Sequence, residues 1–331
     1  MDNLSYKALI VEEPEKNKFI RQIKNANINN LPDGDVLIRV NYSSLNYKDA
    51  LSATGNRGVT KQYPHTPGVD AAGVVEESRI DTIKKGERVI VTSYDLGMNT
   101  AGGFGQYIRV PGEWVVKLPK GLSLKESMIF GTAGFTAGMS IFKLARTIRP
   151  EHGDILVTGA TGGVGSLAAG MLSHLGYSVT AVSGKTDTTL LNKLGVKNII
   201  ARNDFLENTK PPILKAQWAG AIDTVGGEIL ATAIKSTKLD GVVTCCGNVA
   251  SPDLPISVFP FILRGVSLLG IDSQHCPMKF RSKVWEKLAT DWKFDMLESI
   301  YDEIFLDQLN DKIERILKGE LKGRTLINLN Q

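Results

Sequence analysis

Three glycines, Gly159, Gly162 and Gly165, fall in the run Asp154-Ile-Leu-Val-Thr-Gly-Ala-Thr-Gly-Gly-Val-Gly165, ahead of the amphipathic stretch Ser166-Leu-Ala-Ala-Gly-Met-Leu-Ser-His-Leu-Gly176. Glycines so placed let the chain turn sharply out of a strand and let an anion approach the backbone. The N–H groups of a helix's first turn lack intrahelical acceptors, and the positive helix end attracts phosphate. Ordinary strand-to-helix turns also use glycine. Here the trio sits between an apolar run and a helical pattern, within a repeating strand–helix series, and reads as a dinucleotide-binding turn.

The next apolar run, Tyr177-Ser-Val-Thr-Ala-Val-Ser183, ends in Ser183-Gly184-Lys185. A site for NADH places Asp or Glu about twenty residues past the first glycine, where it accepts from the ribose 2′-hydroxyl. A carboxylate there would repel a 2′-phosphate, whereas Ser183 and Lys185 can donate to one. Asp187 reads as the cap of the following helix. NADPH is therefore the expected cofactor; the alternative for Lys185 is a solvated loop lysine.

The elements that must hold these residues divide into three stretches. Residues 1–125 alternate short apolar runs with turn signals, as in Val36-Leu-Ile-Arg-Val40, Ala71-Ala-Gly-Val-Val75 and Glu87-Arg-Val-Ile-Val91, which predicts a small, mostly antiparallel β domain. Residues 126–300 alternate strands and helices, with further runs at Asn198–Ala201, Gly220–Asp223, Gly241–Cys245 and Val266–Ile271. That alternation predicts a doubly wound parallel sheet. Residues 301–331, with a helix near Leu306–Leu317 and a strand near Arg324–Leu329, are expected to complete the first domain.

Composition bounds the function. The chain has 331 residues, enough for two domains, and a mild net charge of +4. No Lys/Arg cluster interleaves with aromatics, which argues against nucleic acid. No uncharged apolar run is long enough to cross a bilayer, and the amino end lacks the pattern of a signal peptide; the expectation is cytoplasmic, with no membrane partner. Three cysteines, Cys245, Cys246 and Cys276, make neither a disulfide framework nor a four-ligand zinc site. His152 and His174 flank the glycine-rich unit as surface residues, and His275 has no carboxylate cluster beside it. No metal is expected.

Two enzyme classes use a turn of this kind. Short-chain dehydrogenases also need a Tyr and a Lys four residues apart, downstream on one helix face. Only Tyr177 and Tyr301 follow the turn, with Ala181 and Phe305 four residues on. A β domain before a mid-chain dinucleotide unit instead resembles the medium-chain dehydrogenase/reductase superfamily, which pairs a GroES-like domain with a Rossmann domain. In Pro64-His-Thr-Pro-Gly-Val-Asp-Ala-Ala-Gly73, Val69 stands where zinc enzymes of that superfamily carry a ligand histidine. The four-cysteine lobe is missing too, so the resemblance is to the zinc-free branch.

Within that branch, six segments look like the acrylyl-CoA reductase family, whose members include quinone oxidoreductase-like proteins. They are Ser43-Ser-Leu-Asn-Tyr-Lys-Asp-Ala50, Phe130-Gly-Thr-Ala-Gly-Phe-Thr-Ala137, Trp218-Ala-Gly-Ala-Ile-Asp-Thr-Val-Gly226, Pro260-Phe-Ile-Leu-Arg-Gly-Val266, Leu269-Gly-Ile-Asp-Ser273 and Gly323-Arg-Thr-Leu326. The resemblance implies an NADPH-dependent reductase of activated C=C bonds, with acryloyl-CoA as substrate, and a homodimer or higher homo-oligomer. It places Tyr47 beside the nicotinamide and Thr161, Gly162, Gly163 and Val164 at the pyrophosphate. Ser183, Gly184, Lys185 and Arg202 fall at the 2′-phosphate, where the family often has Arg at the Lys185 position. Asn248, Ile262, Ser273 and Arg324 fall at further cofactor positions. Tyr47 has a second reading as a satisfied core tyrosine, and Arg202 as a solvated loop arginine. For an enoyl thioester, backbone N–H groups, Tyr47 or Asn46 are expected to stabilise the developing oxyanion, and Tyr47 or water to supply the proton. Lys48 and Asp49 are expected as an ion pair, and Arg57 and Lys61 as candidate docking charges or solvated loop residues. Quinone reduction and non-catalytic NADPH binding are the alternatives.

Overall fold

The protein, described here by a computed structural model over residues 4–330, divides into two compact units. The first unit comprises Met1–Thr132, Gln274–Ala289 and Tyr301–Gln331. Its sheet runs in the order Tyr301–Phe305, Arg324–Asn328, Val36–Leu45, Asp70–Ser78, Arg88–Thr92 and Val116–Lys117, with Tyr107–Val110 also paired to Val36–Leu45. Every pairing is antiparallel except that of Tyr301–Phe305 with Arg324–Asn328. β-Branched residues alternate along these strands, so Val36, Ile38, Val40, Val89, Val91, Ile108 and Val110 share one buried core. A separate hairpin, Ser5–Glu15 with Lys18–Asn27, joins through bridges at Ala8–Gly105 and Val11–His65. The strand Arg324–Asn328 pairs Thr325 with Leu45 and Leu326 with Ser44, so it lies in the sheet of the first unit.

The second unit, Ala133–Ser273 with Thr290–Ile300, holds a six-stranded parallel sheet. Its order is Asn198–Ala201, Val179–Ser183, Ile155–Thr158, Trp218–Asp223, Thr237–Cys245, Ser267–Gly270. The three central strands are buried along their whole length, which is why they read as continuous apolar runs rather than alternating ones. Strand order reverses beside Ile155–Thr158, the place where sheets of this topology bind ligands at the carboxyl ends of their strands.

The expected boundaries shift at two places. The helix Leu124–Leu144 breaks at Gly131 (φ 51°, ψ −156°), and the units part just after it. Met278–Ala289 packs with the first unit, not the second: Arg281 is buried and its Nη1 donates to the carbonyl and hydroxyl of Thr92.

Candidate active site

In the second unit, the chain leaves Ile155–Thr158, turns at Gly159 (φ 59°) and enters the helix Gly163–His174 with Gly162 at its cap. A Cβ on Gly165 would lie 2.3 Å from the Gly159 carbonyl oxygen, so that glycine permits close packing of helix on turn. A Cβ on Gly162 would meet only the Gly159 oxygen, at 3.2 Å. Gly162 is thus set by openness: the turn leaves room above the first helical N–H groups for an anion. Thr161 is buried, while Gly162, Gly163 and Val164 are half-buried.

A residue to which sequence reasoning gave no role stands beneath this turn. Asp223 is fully buried; it accepts from Thr158 Oγ1 at 2.7 Å and from the N–H groups of Gly226 and Val225 at 2.8 and 3.2 Å. The Thr224 hydroxyl donates to the Thr158 carbonyl at 2.9 Å. These bonds lock together the ends of the two strands at the order reversal, and burial pushes the Asp223 carboxyl above its usual range. The signal was an aspartate closing an apolar run. Its position in Trp218-Ala-Gly-Ala-Ile-Asp223 could have flagged it.

Ser183 is buried at the end of its strand; its Oγ accepts from the Lys185 N–H at 3.0 Å and lies 3.3 Å from Thr161 Oγ1. The hydroxyl therefore ties the Ser183-Gly184-Lys185 turn to the glycine loop. Gly184 and Arg202 are exposed, Lys185 half-buried. The Arg202 guanidinium lies directly against Gly184 and makes no hydrogen bond or ion pair among the described residues. The Asn248 backbone sits close to Gly226 at the Asp223 turn, whereas Ile262 is exposed beside Leu263 on the helix Phe259–Arg264 and Ser273 is half-buried beyond the last strand.

In the first unit, Tyr47 opens the helix Tyr47–Ala53, with Asn46 as its cap. Tyr47 is half-buried, and its hydroxyl has no partner among the described residues, so it is not a satisfied core tyrosine. Around it the polar residues satisfy one another. The Asn46 amide nitrogen donates to Asp70 Oδ2 at 2.7 Å and to the Ser44 carbonyl at 3.3 Å, while its oxygen accepts from Arg324 Nη1 at 3.1 Å. Asp49 accepts from the N–H groups of Asn46 and Val69 at 2.7 and 2.8 Å. Asp70 further accepts from Ser44 Oγ, Thr132 Oγ1 and the Thr132 N–H, at 2.6, 2.6 and 2.9 Å.

Four expectations are corrected by this geometry. Asn46 turns its amide nitrogen to Asp70, with Ser44 and Asp49 also in range, rather than outward to a substrate oxyanion, and it holds the helix start. Arg324 is buried, with its guanidinium donating to the carbonyls of Ile129 and Leu45, to Asn46 and to Ser44, and an ion pair to Asp70 at 3.8 Å; those groups of its own unit occupy it. Lys48 donates to Gln274 Oε1 at 2.7 Å rather than pairing with Asp49, which is buried away from it. Arg57 pairs with Glu13, donates to the Lys61 carbonyl and lies over the rings of Phe19 and Tyr63, so it is not a free docking charge.

Residues 32–120 match the family described as "Alcohol dehydrogenase GroES-like domain", and residues 163–290 that described as "Zinc-binding dehydrogenase". "Acrylyl-CoA reductase AcuI" of Ruegeria pomeroyi is 40% identical, over 98% of this chain and 99% of that protein. "Putative quinone oxidoreductase YhfP" of Bacillus subtilis is 43% identical, over 93% of this chain and 94% of that protein. The chain belongs to the acrylyl-CoA reductase and quinone oxidoreductase-like family of the medium-chain dehydrogenases/reductases. It is an oxidoreductase. The Escherichia coli protein YhdH, crystallised with bound NADPH, superposes with a TM-score of 0.94 at 40% identity, covering 98% of this chain and all (100%) of that one. The Bacillus subtilis protein yhfP with NAD bound gives 0.95 at 41% identity, with the same coverage of both chains. Among the described residues no group of three or more His, Cys, Asp or Glu is placed to hold a metal, and no helix is long and apolar enough to cross a membrane.

Proposed function

We propose that this chain is an NADPH-dependent reductase of the activated C=C bond of enoyl thioesters, with acryloyl-CoA as the representative substrate. The observation that carries the reading is 40% identity to an acrylyl-CoA reductase over 98% of the chain, joined to a turn at Gly184 against which the Arg202 guanidinium lies, a cation suited to a 2′-phosphate. The residues suit the cofactor: Gly162 leaves space for a pyrophosphate, and Lys185 and Arg202 are cations that a 2′-phosphate would take as donors, with Ser183 and Gly184 in place of an acidic residue. When bound, NADPH supplies the hydride that reduces the β-carbon. The substrate then carries negative charge on its thioester oxygen and needs a proton at its α-carbon. Tyr47, with an unpartnered phenol, is assigned to orient the reacting groups and to donate a hydrogen bond; Asn46, Asp49, Asp70 and Arg324 hold it in place. Because the relative yhfP was crystallised with NAD and YhfP is described as a quinone oxidoreductase, NADH and a quinone belong in the same test.

We further read the chain as a cytoplasmic homo-oligomer, since NADPH and CoA thioesters are metabolites of the cell interior. Val258, Phe259, Ile262 and Leu263 expose apolar surface near Ser267–Gly270, an unpaired sheet edge, which supports self-association. The test is anaerobic oxidation of NADPH, with NADH in parallel, against acryloyl-CoA and a naphthoquinone. Turnover confined to NADPH and acryloyl-CoA is expected. Quinone turnover without acryloyl-CoA turnover would move the assignment to quinone reductase.

A further inference from the structure

Gly184 is a glycine whose backbone does not ask for one. Its φ lies outside the left-handed region that fifteen other glycines of the chain occupy, so an L-residue would fit its conformation without strain. Space, not backbone, excludes a side chain. A Cβ at this position would stand 2.1, 2.5 and 2.8 Å from Nη2, Cζ and Nε of Arg202. Three atoms of the guanidinium plane therefore lie across the Gly184 α-carbon.

The sheet brings the two together. Val179–Ser183 and Asn198–Ala201 run parallel, with Ser183 opposite Ala201, so Gly184 and Arg202 leave adjacent strands side by side. Both stand at the carboxyl edge, where ligands bind in this topology. Arg202 is exposed and its guanidinium makes no hydrogen bond or ion pair among the described residues, while it lies flat against Gly184. An arginine that must be collected from solution loses rotamer freedom on binding a phosphate, and a preformed seat lowers that loss.

We propose that Gly184 sets the cofactor preference of this chain by seating the Arg202 guanidinium for a 2′-phosphate. The inference rests on the NADPH reading above and deepens it. Gly184 acts through Arg202 and is a specificity-determining positioning residue. The structure also makes the test clean: the atoms a methyl group would displace are the far end of an exposed, flexible side chain, so Gly184→Ala moves Arg202 and leaves the sheet intact.

The experiment is calorimetric titration of NADPH, NADH and 2′-AMP into the full chain and its G184A, R202A and G184A/R202A variants, with thermal melts to confirm folding. Removing a charge-assisted bond to phosphate is expected to weaken NADPH and 2′-AMP roughly 10- to 100-fold in R202A, with NADH changed less than about twofold. G184A should show the same selectivity at roughly tenfold, and the double variant should bind no more weakly than R202A alone. If R202A weakens NADPH selectively and G184A does not, the seating role is wrong while the NADPH site stands. If the G184A loss persists in full on the R202A background, the methyl group acts on the ligand directly and the proposal is overturned. If R202A leaves NADPH and NADH in their original ratio, the phosphate assignment itself fails, and this inference with it.

Discussion

Asp49 is the residue whose protonation the fold perturbs most legibly. Burial, and then the neighbouring Asp70, push its carboxyl up to about 7, against the pull of the Asn46 and Val69 N–H groups; the buried Arg324 guanidinium faces the same cluster. In an unfolded chain an aspartate titrates near about 3.9. Between these values the folded protein binds more protons than the unfolded one, so this group's contribution to stability is greatest below about pH 4 and declines as pH rises toward 7. Urea unfolding of wild type and Asp49→Asn at pH 5, 6, 7 and 8 is expected to show wild type losing stability relative to the variant up to about pH 7, then running parallel. Parallel curves over the whole range would rule out the raised carboxyl. Tyr47 is probed differently. Tyr47→Phe keeps the ring and removes the unpartnered hydroxyl, so NADPH affinity should hold within about twofold while the hydride step slows by roughly 10²-fold, the lower end for a positioned proton donor. Unaltered single-turnover rates in that variant would return Tyr47 to a packing role.

Two elements show why parts of the site were hidden in the sequence. The apolar runs at Ile155–Thr158 and Val179–Ser183 were readable because both faces of those strands are buried, and the glycine turn between them was readable because few other residue types tolerate it. The network under Tyr47 was not readable. Arg324 donates to Ser44 across 280 positions of chain, and a polar residue in a motif looks ligand-facing until its protein partners are known. The same blindness misplaced Met278–Ala289, whose Arg281 looks like a surface residue yet is buried on Thr92. The return strand Arg324–Asn328 and the break at Gly131 meet in this network: a Cβ on Gly131 would fall 2.5 Å from both Asp70 Oδ2 and Ser44 Oγ. Arg324→Ala should cost about 3–5 kcal/mol, because it strands a buried carboxylate. Gly131→Ala should cost about 1–3 kcal/mol from its positive-φ, extended backbone alone. Denaturant midpoints measure both; a loss below about 1 kcal/mol for Arg324→Ala would mean that water enters the cluster.

At the scale of the whole molecule, the chain carries a GroES-like unit and a Rossmann unit, the second ending in a free edge beside exposed Phe259, Ile262 and Leu263. Light scattering of wild type should therefore report a dimer or larger assembly, and Leu263→Asp should shift it toward monomer; a wild-type monomer at micromolar concentration would contradict self-association. On the proposed chemistry, hydride passes from NADPH to the β-carbon of an enoyl thioester. Mass spectrometry of the thioester formed from acryloyl-CoA and NADPH deuterated at C4 tests it most directly, with each C4 epimer supplied separately. One epimer should yield propionyl-CoA with a single deuterium at the β-carbon. Label at the α-carbon, or no propionyl-CoA from either epimer while a naphthoquinone is reduced, would contradict it.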